Sequence, residues 1–218
     1  MGGMSDIYPA YARSERIADG TVHALGVTLA LVGTGLLLTF AALWAHGGAG
    51  QLTALAVYGA AISSSLLASA CYHMTPWEQL RAPLRRVDHA AIYLKIAGTY
   101  TPLVVLIGGA FAYLVLATVW IVALSGAVMK LAFWRNPGWA GTALYLGLGW
   151  ASLLLVWPMV TTLPLAATIL VAAGGVLYSL GVVFFVWETL RFSNAIWHGF
   201  VLAASACFYA AITVGTFA

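Results

Sequence analysis

The hydrophobic residues of the chain fall into seven runs, separated by short polar or glycine-containing segments. Each run is close to the 20 or so apolar residues that a membrane-spanning helix needs. The predicted spans are Val22–Trp44, Leu52–His73, Asp88–Ile107, Ala110–Phe133, Ala140–Trp157, Pro164–Trp187 and Ile196–Phe217. Short connections favour antiparallel neighbours. The pattern therefore predicts an all-α integral membrane protein: a seven-helix transmembrane domain over residues 22–218, preceded by an N-terminal segment, residues 1–21.

The distribution of positive charge predicts the orientation of this bundle. Of the nine Lys and Arg residues, eight lie at span ends that a seven-helix chain places on one side. They are Arg13, Arg16, Arg81, Arg85, Arg86, Lys130, Arg135 and Arg191. The loops on the other side contain no Lys or Arg. By the positive-inside rule, the N-terminal segment is cytoplasmic and the C-terminus lies outside. The first apolar run is longer than a signal-peptide core, so we interpret it as a retained helix.

The composition excludes several classes of protein. The chain is 63% hydrophobic and only 7% charged, whereas a soluble domain is about 25% charged. A soluble enzyme, a nucleic-acid-binding protein and a disordered chain are therefore excluded. The net charge of +3 is explained by topology, so the expected partners are membrane lipids and not nucleic acid.

Polar residues inside the spans cluster near the predicted cytoplasmic ends, where they are candidates for function. These residues are His23, His73, Asp88, His89, Asn194 and His198. Ser69 and His73 are four residues apart, as are Asn194 and His198, so each pair shares a helix face. Imidazole and carboxylate groups suit Zn²⁺, which predicts a site formed by His73 and His198, with Asp88 as a ligand or as the holder of a water. The alternative is that each histidine simply caps a helix end, because the spacing alone does not specify a metal.

The third span contains two further unusual features. Lys95 is the one positive charge in the interior of a span, away from its ends. We expect it either to snorkel towards the interface or to pair with a carboxylate on another helix. Pro102 is expected to kink the helix, with the hydroxyls of Thr99 and Thr101 compensating freed carbonyls.

Five motifs, taken in order, resemble the hemolysin III family, the bacterial branch of the progestin and adipoQ receptor superfamily. The matching segments are Glu15–Gly20 with His23–Gly26, Ser69–His73, Arg86–Tyr93 running into Ile96–Pro102, Gly149–Trp150, and Asn194–Val201. The resemblance extends over nearly the whole chain. It implies a seven-helix protein of the bacterial inner (plasma) membrane.

The resemblance also implies a zinc site with three histidine ligands, one on helix two and two, four residues apart, on helix seven. His73 and His198 match two of them, Asp88 matches the aspartate that holds the water, and Ser69 matches a serine beside the site. Asn194 stands at the position of the third histidine, and Phe208 at another position that is often histidine. Zinc is then weakly held, has its coordination completed by another group such as His89 or Asn194, or is absent. Restoring a histidine with Asn194→His is expected to tighten zinc binding.

Two functions follow from the resemblance. The first is a cytolytic, pore-forming or lipid-homeostasis role, in which lysis requires a homo-oligomer or disruption of the bilayer. The alternative is a zinc-dependent lipid amide or ester hydrolase similar to ceramidases, with Asp88 as base or water-positioning group and Ser69 beside it. The missing histidine favours the first function, and the grouping of His73, Asp88 and His198 favours the second.

Overall fold

A computed structural model describes residues 11–133, 139–187 and 189–218, and the side chains of all of these except residues 139 and 140. Within these ranges the secondary structure is helical, and seven helical segments are long and apolar enough to cross a membrane. The α-helices are α1 (Arg13–Trp44), α2 (Gly48–Met74), α3 (Glu78–Ile107), α4 (Ala110–Ala132), α5 (Trp139–Trp150), α6 (Val156–Thr162), α7 (Leu165–Val186) and α8 (Ser193–Phe217). The predicted seven-helix fold is confirmed.

Two helices begin two turns or more before their predicted spans. Helix α1 begins at Arg13 rather than Val22, and α3 begins at Glu78 rather than Asp88. At the start of α1 the Glu15 carboxylate accepts a hydrogen bond of 2.9 Å from the backbone N–H of Ala12. This is a capping interaction that stabilises a helix end which hydropathy alone does not mark. The extra turns matter because they carry Asp19 into the bundle.

The fifth span consists of α5, a 3₁₀ segment (Ala151–Leu155) and α6. It ends at Thr162, beyond the predicted end at Trp157. Pro158 has no N–H with which to bond the carbonyl of Leu154, and the regular helix is interrupted at this point. The hydroxyl of Tyr100 on α3 lies 2.8 Å from the carbonyl oxygen of Gly149 and connects α3 to the end of α5.

Helix α3 is the most buried of the spans and packs against α2, α4 and α8. Glycine permits a close contact between α3 and α4, since a Cβ at Gly126 of α4 would lie 2.6 Å from the ring of Tyr93. The helix continues through Pro102. The hydroxyls of Thr99 and Thr101 donate hydrogen bonds of 2.8 and 3.0 Å to the carbonyls of Lys95 and Ala97. Neither of these is the carbonyl of Gly98, which Pro102 leaves without its helical N–H partner, so the two hydroxyls do not play the predicted role.

The outer surface of the bundle is apolar. Leu31, Leu114, Ile121 and Ile169 are all more than half exposed. Such a surface requires a lipid environment, which agrees with the prediction of a multi-pass integral membrane protein.

We call the end of the bundle that holds the N-terminus of α1 the basic end. The backbone N–H of Phe192, just before α8, donates a hydrogen bond of 2.9 Å to Glu15 of α1, which fixes these two helix ends together. Chain alternation brings the predicted positive charges to the same end, except that Arg135 lies outside the described residues. That this end faces the cytoplasm remains a prediction.

Candidate metal centre

Polar side chains from four helices meet at the basic end of the bundle. Three of these helices each contribute two polar side chains, which lie four residues apart and so project from one face of the helix. The residues are Asp19 and His23 on α1, Ser69 and His73 on α2, Asp88 on α3, and Asn194 and His198 on α8.

Three imidazole rings form the centre of this group. One ring nitrogen from each of His23, His73 and His198 lies within 4.8 Å of the others. The ring centroids are 4.2 Å apart for His23 and His198, and 4.6 Å apart for His73 and His198. Their side chains are only 4%, 11% and 10% exposed, respectively. Three converging, largely buried imidazoles form a group that could bind a metal ion.

The carboxylate of Asp19 lies on one side of these rings. It is 2.8 Å from Nδ1 of His198 and 3.4 Å from Nδ1 of His23. The amide of Asn194 donates to it at 2.7 Å, and the same amide nitrogen lies 3.2 Å from Nδ1 of His73. A carboxylate bonded to the outer nitrogen of a histidine fixes the tautomer and orientation of the ring. Asp19 and Asn194 therefore form a supporting layer behind the histidines.

Ser69 and Asp88 lie on the other side. The Ser69 hydroxyl oxygen is 3.3 Å from Nε2 of His23 and 3.5 Å from Nε2 of His198. Asp88 is buried beside Ser69, and both line the internal cavity. The Nε2 atoms of His23 and His198 therefore face the side where a hydroxyl, a carboxylate and open space are found.

A cavity of about 500 Å³ extends from this group into the bundle. Its far part is lined by apolar side chains such as Leu103, Met159 and Val171. The volume is in the range of small-molecule binding pockets, which are also mostly apolar with a few polar groups. The polar group at the basic end thus borders a space that can hold an apolar ligand.

The structure brings the predicted residues Ser69, His73, Asp88, Asn194 and His198 into one group. Asn194 lies in the supporting layer, where it bonds Asp19. The third imidazole is supplied by His23 rather than by His89. The carbonyl of His89 instead accepts a hydrogen bond of 3.1 Å from the hydroxyl of Tyr145.

Phe208, at the position where the resemblance often has histidine, packs against α7. A Cβ at Gly174 would lie 2.7 Å from its ring. This position therefore contributes an aromatic contact between α7 and α8.

Sequence reasoning did not assign roles to Asp19 and His23, although His23 was placed in the polar layer. The signal that could have found them was present, because the two are four residues apart. This is the same spacing that identified the pairs on α2 and α8. The predicted start of span one at residue 22 left Asp19 in the N-terminal segment, so the pair was divided.

Comparisons with known proteins agree with the motifs. The "Haemolysin-III related" family profile matches residues 12–209. The chain is 35% identical to a "Hemolysin-3 homolog" of Bacillus subtilis (strain 168), over 89% of this chain and 91% of that protein. It is 36% identical to "Hemolysin-3" of Bacillus cereus, over 89% of each chain. It is also 30% identical to the human "Monocyte to macrophage differentiation factor", over 91% of this chain and 83% of that protein. The chain therefore belongs to the hemolysin III family, as its motifs predicted.

Proposed function

We propose that this protein is a metal-dependent hydrolase, with Zn²⁺ as its metal, that cleaves acyl amide or ester bonds of lipids within the membrane. The observation that carries the proposal is the convergence of His23, His73 and His198 at one end of a largely apolar internal cavity. This arrangement places groups able to hold a metal beside a space able to hold an acyl chain.

The donor set suits zinc. Sites with three protein ligands, in which a fourth position stays open, are typical of catalytic zinc, and imidazole nitrogen is a preferred ligand. The chain's residues would hold the ion through His23, His73 and His198, with Asp19 bonded behind His198 at 2.8 Å. A divalent metal in such a site would supply an activated water and a polarised substrate carbonyl.

Asp88 is the proposed general base. It is buried on the Ser69 side of the histidines and lines the cavity, where a reacting water and carbonyl would lie. Its carboxylate can accept a proton from the water and later return it to the leaving amine or alcohol. Ser69 lies beside Asp88 and can donate a hydrogen bond that orients the carboxylate.

The proposed substrate is a lipid with an acyl chain. The apolar far part of the cavity suits a hydrocarbon chain, and the polar layer at the basic end suits an amide or ester. The exposed apolar surface of the bundle supports the same conclusion, because a substrate of this kind is already dissolved in the surrounding membrane.

The test combines metal analysis with turnover. Purified protein in lipid nanodiscs is analysed for bound metal and assayed for release of a long-chain fatty acid from an N-acyl amide and from an acyl ester. We expect about one zinc per chain and turnover that Asp88→Asn abolishes while the zinc is retained. His46→Ala is the matched control, since His46 is exposed and lies between α1 and α2 at the opposite end. Full zinc occupancy without turnover of either substrate would contradict the hydrolase proposal.

A second candidate is cytolysis, because the Bacillus cereus relative is named "Hemolysin-3". In this function the polar group is a structural site, and lysis proceeds through a homo-oligomer or through disruption of the bilayer. The assay is release of a fluorescent dye from lipid vesicles. Release that is equal for the wild type and for His73→Ala, in the absence of hydrolysis, would favour cytolysis over the enzyme.

A further inference from the structure

Lys95 is a buried cation whose position matches neither expectation from the sequence. It does not snorkel, because only 7% of the residue is exposed. It forms no ion pair with any residue that the structure describes, since the carboxylate in the observed pairs is that of Asp19 and its partners are histidines. The contact made by its ammonium group is with the ring of Tyr178, whose centroid lies 4.9 Å from Nζ.

Tyr178 offers Lys95 a fixed aromatic face. The Tyr178 hydroxyl lies 2.8 Å from the hydroxyl of Ser205 on α8, and Ser205 in turn donates to the carbonyl of Val201 at 2.7 Å. A cation over an aromatic face is attracted to it, but this attraction is small compared with the cost of removing an ammonium group from water. The contact with Tyr178 therefore compensates only part of the burial cost of Lys95, and Asp88, the carboxylate that acts on it electrostatically, forms no ion pair with it in the described part of the chain.

The internal cavity offers space for a counter-ion beside Lys95. Lys95, Thr99 and Tyr178 all line it. Lys95 lies seven residues beyond Asp88 on α3, which corresponds to about 10 Å along the helix axis. The backbone of Lys95 therefore lies deeper in the bundle than that of Asp88, while its charge still acts on Asp88 and His198.

We propose that Lys95 binds an anionic oxygen group of a single-chain lipid held in this cavity. The shared chemistry is an oxyanion attached to a hydrocarbon chain, either a long-chain carboxylate or an alkyl phosphate. The inference rests on the proposed function in one respect, namely that the cavity takes up an acyl lipid. Hydrolysis of an acyl amide or ester by water yields a fatty acid and an amine or alcohol, so a carboxylate of this kind is a product of the proposed reaction.

The test measures binding without turnover. Metal-depleted protein in nanodiscs is titrated with cis-parinaric acid, a fluorescent 18-carbon carboxylate, with its methyl ester, and with an alkyl phosphate as competitor. A charge-assisted hydrogen bond predicts that the carboxylate binds about 10-fold or more tightly than the ester. Lys95→Met should remove this difference without changing the affinity for the ester, whereas Lys95→Arg should largely preserve it.

The control is Lys130→Met, which removes the other lysine of the cavity wall, near its basic end. An unchanged preference in this variant is the expected result. If Lys95→Met binds the ester as tightly as the wild type does, the cavity of the variant is intact. Competition by the alkyl phosphate identifies which oxyanion binds better. The proposal is overturned if Lys95→Met keeps the preference for the carboxylate, or if Lys95→Met and Lys130→Met weaken it equally. The titration uses metal-depleted protein, so its result does not depend on zinc binding or on hydrolysis. The proposed function is tested separately by the metal analysis and the turnover assay.

Discussion

Replacement of Asp19 tests whether the three histidines act as a metal site or only as a buried hydrogen-bond network. Asp19 accepts from the Asn194 amide at 2.7 Å and lies 2.8 Å from Nδ1 of His198. It is only 4% exposed, so the groups it bonds are shielded from bulk water. Loss of a partner of this kind typically weakens metal binding 10–100-fold. We therefore expect Asp19→Ala to weaken zinc binding by about 100-fold, or about 2.8 kcal/mol.

Asp19→Asn should have a smaller effect, of about 10-fold. The amide keeps one oxygen that can accept from His198, but its NH₂ group then faces the NH₂ group of Asn194, so one bond is replaced by a donor–donor contact. The wild type and both variants are compared by chelator-competition titration in detergent. Size-exclusion profiles establish that each variant is folded.

Asp88→Asn is the matched control, because it makes the same chemical change as Asp19→Asn but on the opposite side of the histidines. Asp88 lies on the Ser69 side and forms no ion pair with the histidine rings among those found in the described residues. Its zinc affinity should stay within a few-fold of the wild type. If Asp19→Ala binds zinc as tightly as the wild type, Asp19 does not support the ligands and the assignment of the two layers is wrong.

Three further predictions concern the histidine group and the orientation of the bundle. Alanine at any one of the three converging histidines should lower zinc affinity by more than the roughly 100-fold limit for an outer partner, whereas His46→Ala should leave it unchanged in the same titration. The three variants are His23→Ala, His73→Ala and His198→Ala. Asn194→His should not tighten zinc binding, because His23 already supplies the third imidazole; a gain of about 10-fold or more would support the two-histidine site expected from the sequence. Reporter fusions after Arg86 should report the cytoplasm and those after Thr161 the outside, and an outside signal after Arg86 would reverse the predicted orientation.

The fold follows from hydropathy because a bilayer requires every spanning segment to be both apolar and internally hydrogen-bonded. Hydropathy does not set where a helix stops outside the apolar layer. The end of the fifth span shows this, since the interruption before Pro158 and the continuation to Thr162 depend on backbone bonding rather than on apolarity. The start of α1 shows the same, because Arg13 and Glu15 are polar yet helical.

Only part of the candidate site was predicted, because hydropathy reveals polar residues that lie in apolar runs and not those that lie beside them. His73, Asp88 and His198 lie within or at the edge of apolar runs, where a polar residue is conspicuous. Asp19 lies just before such a run and resembles an ordinary interfacial residue. Its role depends on the inclination and packing of α1 against α8, which bring it to 2.8 Å from a histidine 179 positions away. No spacing within one helix encodes that contact.

The depths of the polar groups in the bundle indicate from which ends water and the acyl chain would reach the proposed reaction site. The histidine group lies at the basic end, where water is available, and Asp88 marks the same level on α3. The backbone of Lys95 lies about 10 Å deeper along that helix, and its side chain lines the same cavity. Water and the acyl chain would therefore approach the scissile bond from opposite ends of one cavity. The carboxylate of the product acid would find its counter-ion, Lys95, on the side occupied by the acyl chain. A buried lysine at this depth is costly for a purely structural bundle, but it is suited to a protein that holds an anionic lipid between its helices.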